Sequence, residues 1–203
     1  MTLNLNTIGL LTRDESSEYP FDEVRDLFGK YQIEVVLIEE GITPDHVDMV
    51  VAMGGDGTVL RALDRFPRCP VLAINFGTVG FLTAGDRTDL ASIVKLLMDG
   101  RYIVSERLVL NCRYPGGEMH VVNEVMVRAS YKLAFTDVFV DGAEIRTITG
   151  DGVIVGTPTG STGHLLSSGA PIVVPDVRCM ILDGINEYNF SSRALILPPE
   201  AHI

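Results

Sequence analysis

Cysteine is scarce in this 203-residue chain, and Cys69, Cys112 and Cys179 stand far apart. Neither a C-x-x-C zinc site nor a dense disulfide framework is therefore available, and reduced, mostly buried thiols are expected. Positive charge is also in deficit, since 16 Lys and Arg against 27 Asp and Glu leave a net charge of -11. That balance argues against nucleic acid as a partner, because such binding rests on neutralising many phosphates with Lys and Arg. A small phosphorylated ligand stays open, provided a metal ion and backbone N–H groups supply the positive field. No apolar run approaches the roughly 18 residues of a membrane helix, and no basic stretch followed by an apolar core opens the chain. The expectation is a cytoplasmic protein with no membrane partner, in which Asn189-Phe190-Ser191 matches a glycosylation sequon by chance.

What is present is the composition of an ordinary globular protein: 46% hydrophobic and 21% charged residues, with 20 Gly and 10 Pro. The length suits one or two domains. Short apolar runs alternate with amphipathic stretches over the first hundred residues, the pattern of βα units around a parallel sheet. Strands are expected at Thr7 to Leu11, Glu34 to Ile38, Val47 to Met53 and Val71 to Ile74, the second and third of them buried. Helices are expected at Phe21 to Phe28, at about Thr58 to Arg65, and through Leu90, Ile93, Val94 and Leu97. From about Arg101 the period changes to two. Leu108 to Arg113 and Val121 to Val127 read as strands about the Pro115-Gly116-Gly117 turn, and Asp141-Gly142 marks a second hairpin.

Gly54-Gly55-Asp56-Gly57-Thr58 stands between a strand end and a helix start, which is where ligands bind in open α/β sheets. Glycine lets backbone N–H groups approach a phosphate, and the helix N-terminus adds partial positive charge. Asp56, on the turn, can take a hydroxyl proton or hold a metal; the same composition also suits a tight turn with an Asx bond and no ligand. Asn75 to Thr83 follows the next strand and opens on the same edge, where Phe81 either covers a flat ring or joins the core. Neither a Walker A sequence nor G-x-G-x-x-G occurs.

In the second half Asn123-Glu124 interrupts an apolar run, and a carboxylate beside an amide suits a diol such as a ribose; a solvated strand face is the plain alternative. Gly150-Asp151-Gly152 leads through Val153 to Val155 into Gly156-Thr157-Pro158-Thr159-Gly160-Ser161-Thr162-Gly163-His164. Four hydroxyls among the eight residues from Thr157 form a rigid loop rich in donors at a helix start. His164 either stacks on a base or is a simple surface histidine.

Taken together, Gly54 to Thr58, Asn75 to Thr83, Asn123-Glu124 and Gly150 to Ser168 resemble the NAD kinase family, over about Thr7 to Leu197. The glycine turn alone is shared with lipid kinases and phosphofructokinases. Thr157-Pro158-Thr159-Gly160-Ser161-Thr162 after Gly150-Asp151-Gly152 is far more specific. The resemblance implies an α/β N-terminal domain with a parallel sheet over residues 1–100 and a β-rich NAD-binding domain over 101–203, with NAD between them. It implies phosphoryl transfer from ATP or polyphosphate to the 2′-hydroxyl of the adenosine ribose of NAD, with Mg²⁺, in a homo-oligomer of two or four chains. Asp56 would be the base or orienting group, and Gly55, Gly57 and Thr58 would admit phosphates. Asn123 and Glu124 would hold the nicotinamide-side ribose with Asp151 nearby. Thr162, Gly163, His164 and Ser167 would line the adenosine site, close to Phe81.

The chain departs from the family pattern at Gly163-His164, where Ala-Tyr is usual, at Gly169-Ala170-Pro171, and at Asp183 to Tyr188. Relatives continue past the position of Ile203, so the strand expected at Ala194 to Leu197 should leave an apolar face or a sheet edge open. A lipid or sugar kinase sharing only the glycine turn, and a truncated protein that binds NAD or NADP without turnover, are the alternative readings.

Overall fold

The computed structural model describes residues 3–13, 20–38, 44–76, 80–189 and 191–203. Gly77, Thr78 and Val79 of the Asn75 to Thr83 loop, and Phe190 of the sequon, lie outside the described residues. The chain forms two compact units, one ending at Val104 and one running from Ser105 to Ile203.

The first unit is built on the parallel sheet that its apolar runs demand. Strands β1 (Thr7–Thr12), β2 (Glu34–Leu37), β3 (Met49–Met53), β4 (Val71–Asn75) and β5 (Gly85–Asp86) pair in the order β2-β1-β3-β4-β5. All four pairings are parallel. β3 is buried at every residue because helices cover both faces. Met49, Val51 and Met53 meet α1 (Phe21–Gly29) and α3 (Leu90–Met98) through Val24, Phe28, Leu90 and Val94. Val50 and Ala52 meet α2 (Asp56–Arg65) through Val59 and Ala62, with Phe66 just beyond the helix end. β2, expected to be buried, is instead the outer strand and half exposed, since only β1 pairs with it.

The second unit is β-rich, as its period-two pattern requires. β6 (Leu110–Tyr114) and β7 (Gly117–Val121) form a hairpin in which Tyr114 pairs with Gly117 across Pro115-Gly116. The expected run from Val121 to Val127 is broken: β7 ends at Val121 and β8 (Glu124–Arg128) leaves to pair with another strand. The break falls at Val122-Asn123, whose carbonyls accept bonds from Thr157 instead of a ladder. β9 (Ala134–Val140) and β10 (Ala143–Gly150) are joined by Asp141-Gly142, with φ of 51° and 82°. Positive φ at both central residues is the type I′ condition, which matches the twist of the two strands.

The remaining strands, β11 (Gly152–Gly156), β12 (Met180–Ile185) and β13 (Leu195–Leu197), pair antiparallel with β8 in the order β13-β12-β11-β8. One face of this sheet packs Ile154 and Ile181 against Leu165 of the short helix α4 (His164–Ser168). The other sets Leu182, Val153 and Val155 against Val138 and Ile148 of the hairpin. β13 is an outer strand, and Ile196 on it is half exposed. An apolar groove of about 760 Å³ runs past Val125, Val127, Val153 and Met180 to the chain end at Ile203. Among the described residues no helix is long and apolar enough to cross a membrane.

Candidate functional site

In the first unit, the order β2-β1-β3 places neighbours of β1 on either side of it, so the connections leaving β1 and β3 diverge. Such a divergence opens a crevice at the C-terminal strand ends. Gly54-Gly55 follows β3 there, and Arg61 of α2 donates to the carbonyls of Thr12, the last residue of β1, and of Arg13 beyond it, at 2.7 and 3.1 Å. Gly54 has no room for a side chain, because a Cβ would stand 2.3 Å from Oγ1 of the buried Thr58. Thr58 is thus a packing residue beneath the turn, and Gly55 is the residue that caps α2.

Asp56 is the first residue of α2, two positions earlier than the expected start, rather than a member of the turn itself. A carboxylate suits that position because the first turn carries unpaired N–H groups and positive partial charge. Its oxygens accept the backbone N–H groups of Phe81 and Leu82, each at 3.0 Å. Gly80 makes this approach possible, since a Cβ there would fall 2.3 Å from Asp56 Oδ1. Asp56 therefore ties the glycine turn to the loop after β4. Phe81 is 80% exposed, so it is no core residue, and its ring stands open on that loop. Gly57 carries no Cβ conflict and lies on the exposed side of the helix start.

In the second unit the structure brings Asn123, Glu124 and the Thr157 to His164 segment together. Thr157 donates its backbone N–H to Asn123 O at 2.9 Å and its hydroxyl to Val122 O. Ser161 Oγ donates to Pro158 O at 2.6 Å and accepts the Val173 N–H at 3.0 Å, and Thr162 Oγ1 donates to Thr159 O at 3.4 Å. The loop is tied down by these bonds at three of its four hydroxyl residues. The hydroxyls of Thr157, Ser161 and Thr162, however, turn to backbone groups of the protein, so these three do not form the donor array expected from the sequence.

The polar groups left over are acceptors. Glu124 is only 9% exposed, which excludes the solvated strand face. Its Oε2 and Asn123 Oδ1 are buried without a hydrogen-bond partner. Glycines frame Glu124 Oε2: a Cβ at Gly160 would lie 2.7 Å from it, and 2.3 Å from the backbone carbonyl of Asn123, while one at Gly163 would lie 2.9 Å from Oε2. Glu124 Oε1 faces His164 Nδ1 at 3.4 Å, while the imidazole is 68% exposed. Buried acceptors are seldom left bare. This cradle thus calls for a ligand rich in O–H or N–H donors.

Asp151 sits at the start of β11, where its Oδ2 accepts a bond from Asn186 Nδ2 at 2.8 Å and lies 3.6 Å from Arg128. Ser167 lies on the exposed side of α4. Leu82 and Asn186 carry no site signal in the sequence: Leu82 acts through its backbone N–H, which leaves no side-chain signature, and Asn186 lies in a stretch with no motif. Among the described residues no group of three His, Cys, Asp or Glu is placed to hold a metal ion.

Comparison with known proteins points the same way. The ATP-NAD kinase N-terminal domain model matches residues 14–102 and the ATP-NAD kinase C-terminal domain model matches residues 122–203. The chain is 35% identical over 176 residues to the NAD kinase of Clostridium beijerinckii, covering 82% of this chain and 61% of that protein. It is 37% identical over 163 residues to the NAD kinase of Thermococcus gammatolerans, covering 77% and 58%. Among solved structures, yeast NADH kinase complexed with NADH superposes with a TM-score of 0.81 at 25% identity, over 97% of this chain and 67% of that one. An NAD kinase from Archaeoglobus fulgidus in complex with ATP does so with a TM-score of 0.81 at 28% identity, over 96% and 78%. The chain thus spans about three fifths of the curated relatives it matches. With both halves of the family signature in order on the fold those structures share, the chain belongs to the NAD kinase family.

Proposed function

We propose that the protein is an NAD kinase, transferring a phosphoryl group from ATP or polyphosphate to the 2′-hydroxyl of the adenosine ribose of NAD. The observation that carries this reading is the pair of buried, unpartnered acceptors, Asn123 Oδ1 and Glu124 Oε2, the second of them in a cradle of glycines. A ribose diol supplies hydroxyl donors of that size and polarity. Solved members of the family bind NADH and ATP, which supports a nucleotide in each role.

Phosphoryl transfer asks the protein mainly for positioning and charge neutralisation. An ionised carboxylate offers about four lone-pair sites, and the two N–H groups from Phe81 and Leu82 engage only part of those on Asp56. Asp56 can therefore orient a ribose hydroxyl, and accept its proton, while it holds the loop. Gly55 and Gly57 leave the approach to α2 clear for phosphates. In the second unit Asn123, Glu124 and Asp151 hold the nicotinamide-side ribose, and Thr162, Gly163, His164 and Ser167 border the adenosine; in the first, the exposed ring of Phe81 is open to a nucleotide base. Mg²⁺ would enter on the donor's phosphates and neutralise their charge. The same reading carries a cytoplasmic location and a homo-oligomer of two or four chains, which size-exclusion chromatography with light scattering would test.

The deciding assay incubates the purified chain with NAD and either ATP or polyphosphate, with and without Mg²⁺, and measures NADP. NADP formation with NAD as acceptor supports the reading. NAD binding by calorimetry with no NADP under any donor would leave a nucleotide-binding protein without turnover, and no binding of either kind would overturn the assignment.

A further inference from the structure

We infer that His164 works through Glu124: its Nδ1 holds one carboxylate oxygen so that the other stays aimed at the glycine cradle, and the imidazole is a positioning group rather than a stacking platform. The inference rests on the reading that this cradle takes NAD. A carboxylate that is 9% exposed needs a partner, because burying an unpaired charge is costly. Among the described residues the partner that the structure gives Glu124 is His164, with Nδ1 3.4 Å from Oε1. Oε2 has none and lies where a Cβ at Gly160 or Gly163 would come within 2.7 and 2.9 Å.

The chain geometry fixes the relation. Gly163, with φ of -91° and ψ of -136°, turns out of the Thr159–Thr162 turn, and His164 is the next residue, at the start of α4. Leu165, fully buried beneath it, anchors that turn in the core. The histidine is thus delivered to Glu124 by a buried neighbour while its own ring remains 68% exposed. A ring so exposed draws little from packing, whereas its nitrogen meets a buried charge.

The test separates donor from ring. Asn keeps an N–H donor near the position of Nδ1 and has no aromatic face; Phe keeps the face and has no donor. In calorimetry of the whole chain with NAD, His164→Phe is expected to weaken binding about tenfold or more, the scale of removing the partner of a nearly buried carboxylate. His164→Asn should stay within about threefold of the wild type. In a Glu124→Gln background His164→Phe should change NAD affinity little, because the charge it serves is gone. A second readout needs no ligand: His164→Phe should lower the melting temperature by about 3 to 8 °C, and Glu124→Gln should restore it by removing the unpaired charge. Phe binding NAD as well as His, with Asn failing, would overturn the inference in favour of stacking. An unchanged melting temperature in His164→Phe would overturn it even were NAD not the ligand. A wild type that binds no NAD but loses stability in His164→Phe would instead fault the functional reading and uphold the pairing.

Discussion

At the scale of single residues the candidate residues of the two units use side chains in opposite ways. Asp56 has its oxygens engaged by N–H groups, whereas Asn123 and Glu124 each keep a buried acceptor unpaired. The first is a strut that can also serve chemistry, and the second is a socket. Asp56→Asn should therefore do two things. Activity should fall by about 10²- to 10⁴-fold if Asp56 orients the attacking hydroxyl, read as NADP formed per minute. The melting temperature should also fall by a few degrees, because an amide can present only one oxygen to the two N–H groups and its own N–H₂ meets the other. An Asp56 standing alone on an exposed turn would lose activity without that drop. At the socket, Gly160→Ala places a methyl group against Asn123 O and Glu124 Oε2. It should weaken NAD binding about tenfold or more in calorimetry, while Gly57→Ala, which meets nothing within 4 Å, leaves the fold's stability near that of the wild type.

At the scale of elements, the legible parts were those in which one pattern fixes one structure. The five-residue apolar run of β3 announced a strand covered on both faces, and Asp141-Gly142 announced a two-residue hairpin, since only such residues accept positive φ twice in succession. The break at Val122-Asn123 was not legible, because an apolar run does not say which partner strand each half will find. The inward turn of Thr157 and Ser161 was hidden for a similar reason: a hydroxyl's direction depends on backbone groups more than ten residues away, the carbonyl of Val122 and the N–H of Val173. Asp48 shows such a long-range tie setting register. Its Oδ2 accepts N–H groups from Asn6 and Thr7 at 2.7 and 3.0 Å, pinning the start of β1 beside β3. Those bonds, first Thr7 and then Asn6, hold its carboxyl below the usual aspartate range. A group whose folded pKa is lowered stabilises the fold above its unfolded pKa and loses that contribution as the pH falls through the folded value. Denaturant midpoints measured from neutral pH down through the carboxylate range should therefore decline less steeply in Asp48→Asn than in the wild type, from a lower starting stability.

At the scale of the whole molecule, the two units bury their apolar surface differently. The first sheet has helices on both faces, so Phe28 and Phe66 are wholly enclosed on opposite sides of it. The second unit packs smaller clusters around Ile154 and Leu182 and leaves open the groove of about 760 Å³ that runs past Val127 and Val153. Apolar area withdrawn from water is the main source of stability, at about 25 cal/mol per Å², and local opening follows from how much of it a region holds. Amides of β3 and β4 should accordingly be the slowest to exchange in hydrogen-exchange mass spectrometry, with β11 and β12 exchanging sooner although they too are internal strands. Phe28→Ala removes a fully buried ring and should cost about 3–5 kcal/mol, and Leu182→Ala about 2–5 kcal/mol. Each loss should appear in the strands that the residue packs: Phe28→Ala in β1, β3 and β4, and Leu182→Ala in β11, β12 and the β9–β10 hairpin. If Phe28→Ala accelerated exchange in β11 and β12 as strongly as in β3, stability would be a property of the chain as one cooperative body, and the open groove would have no bearing on where it first unfolds.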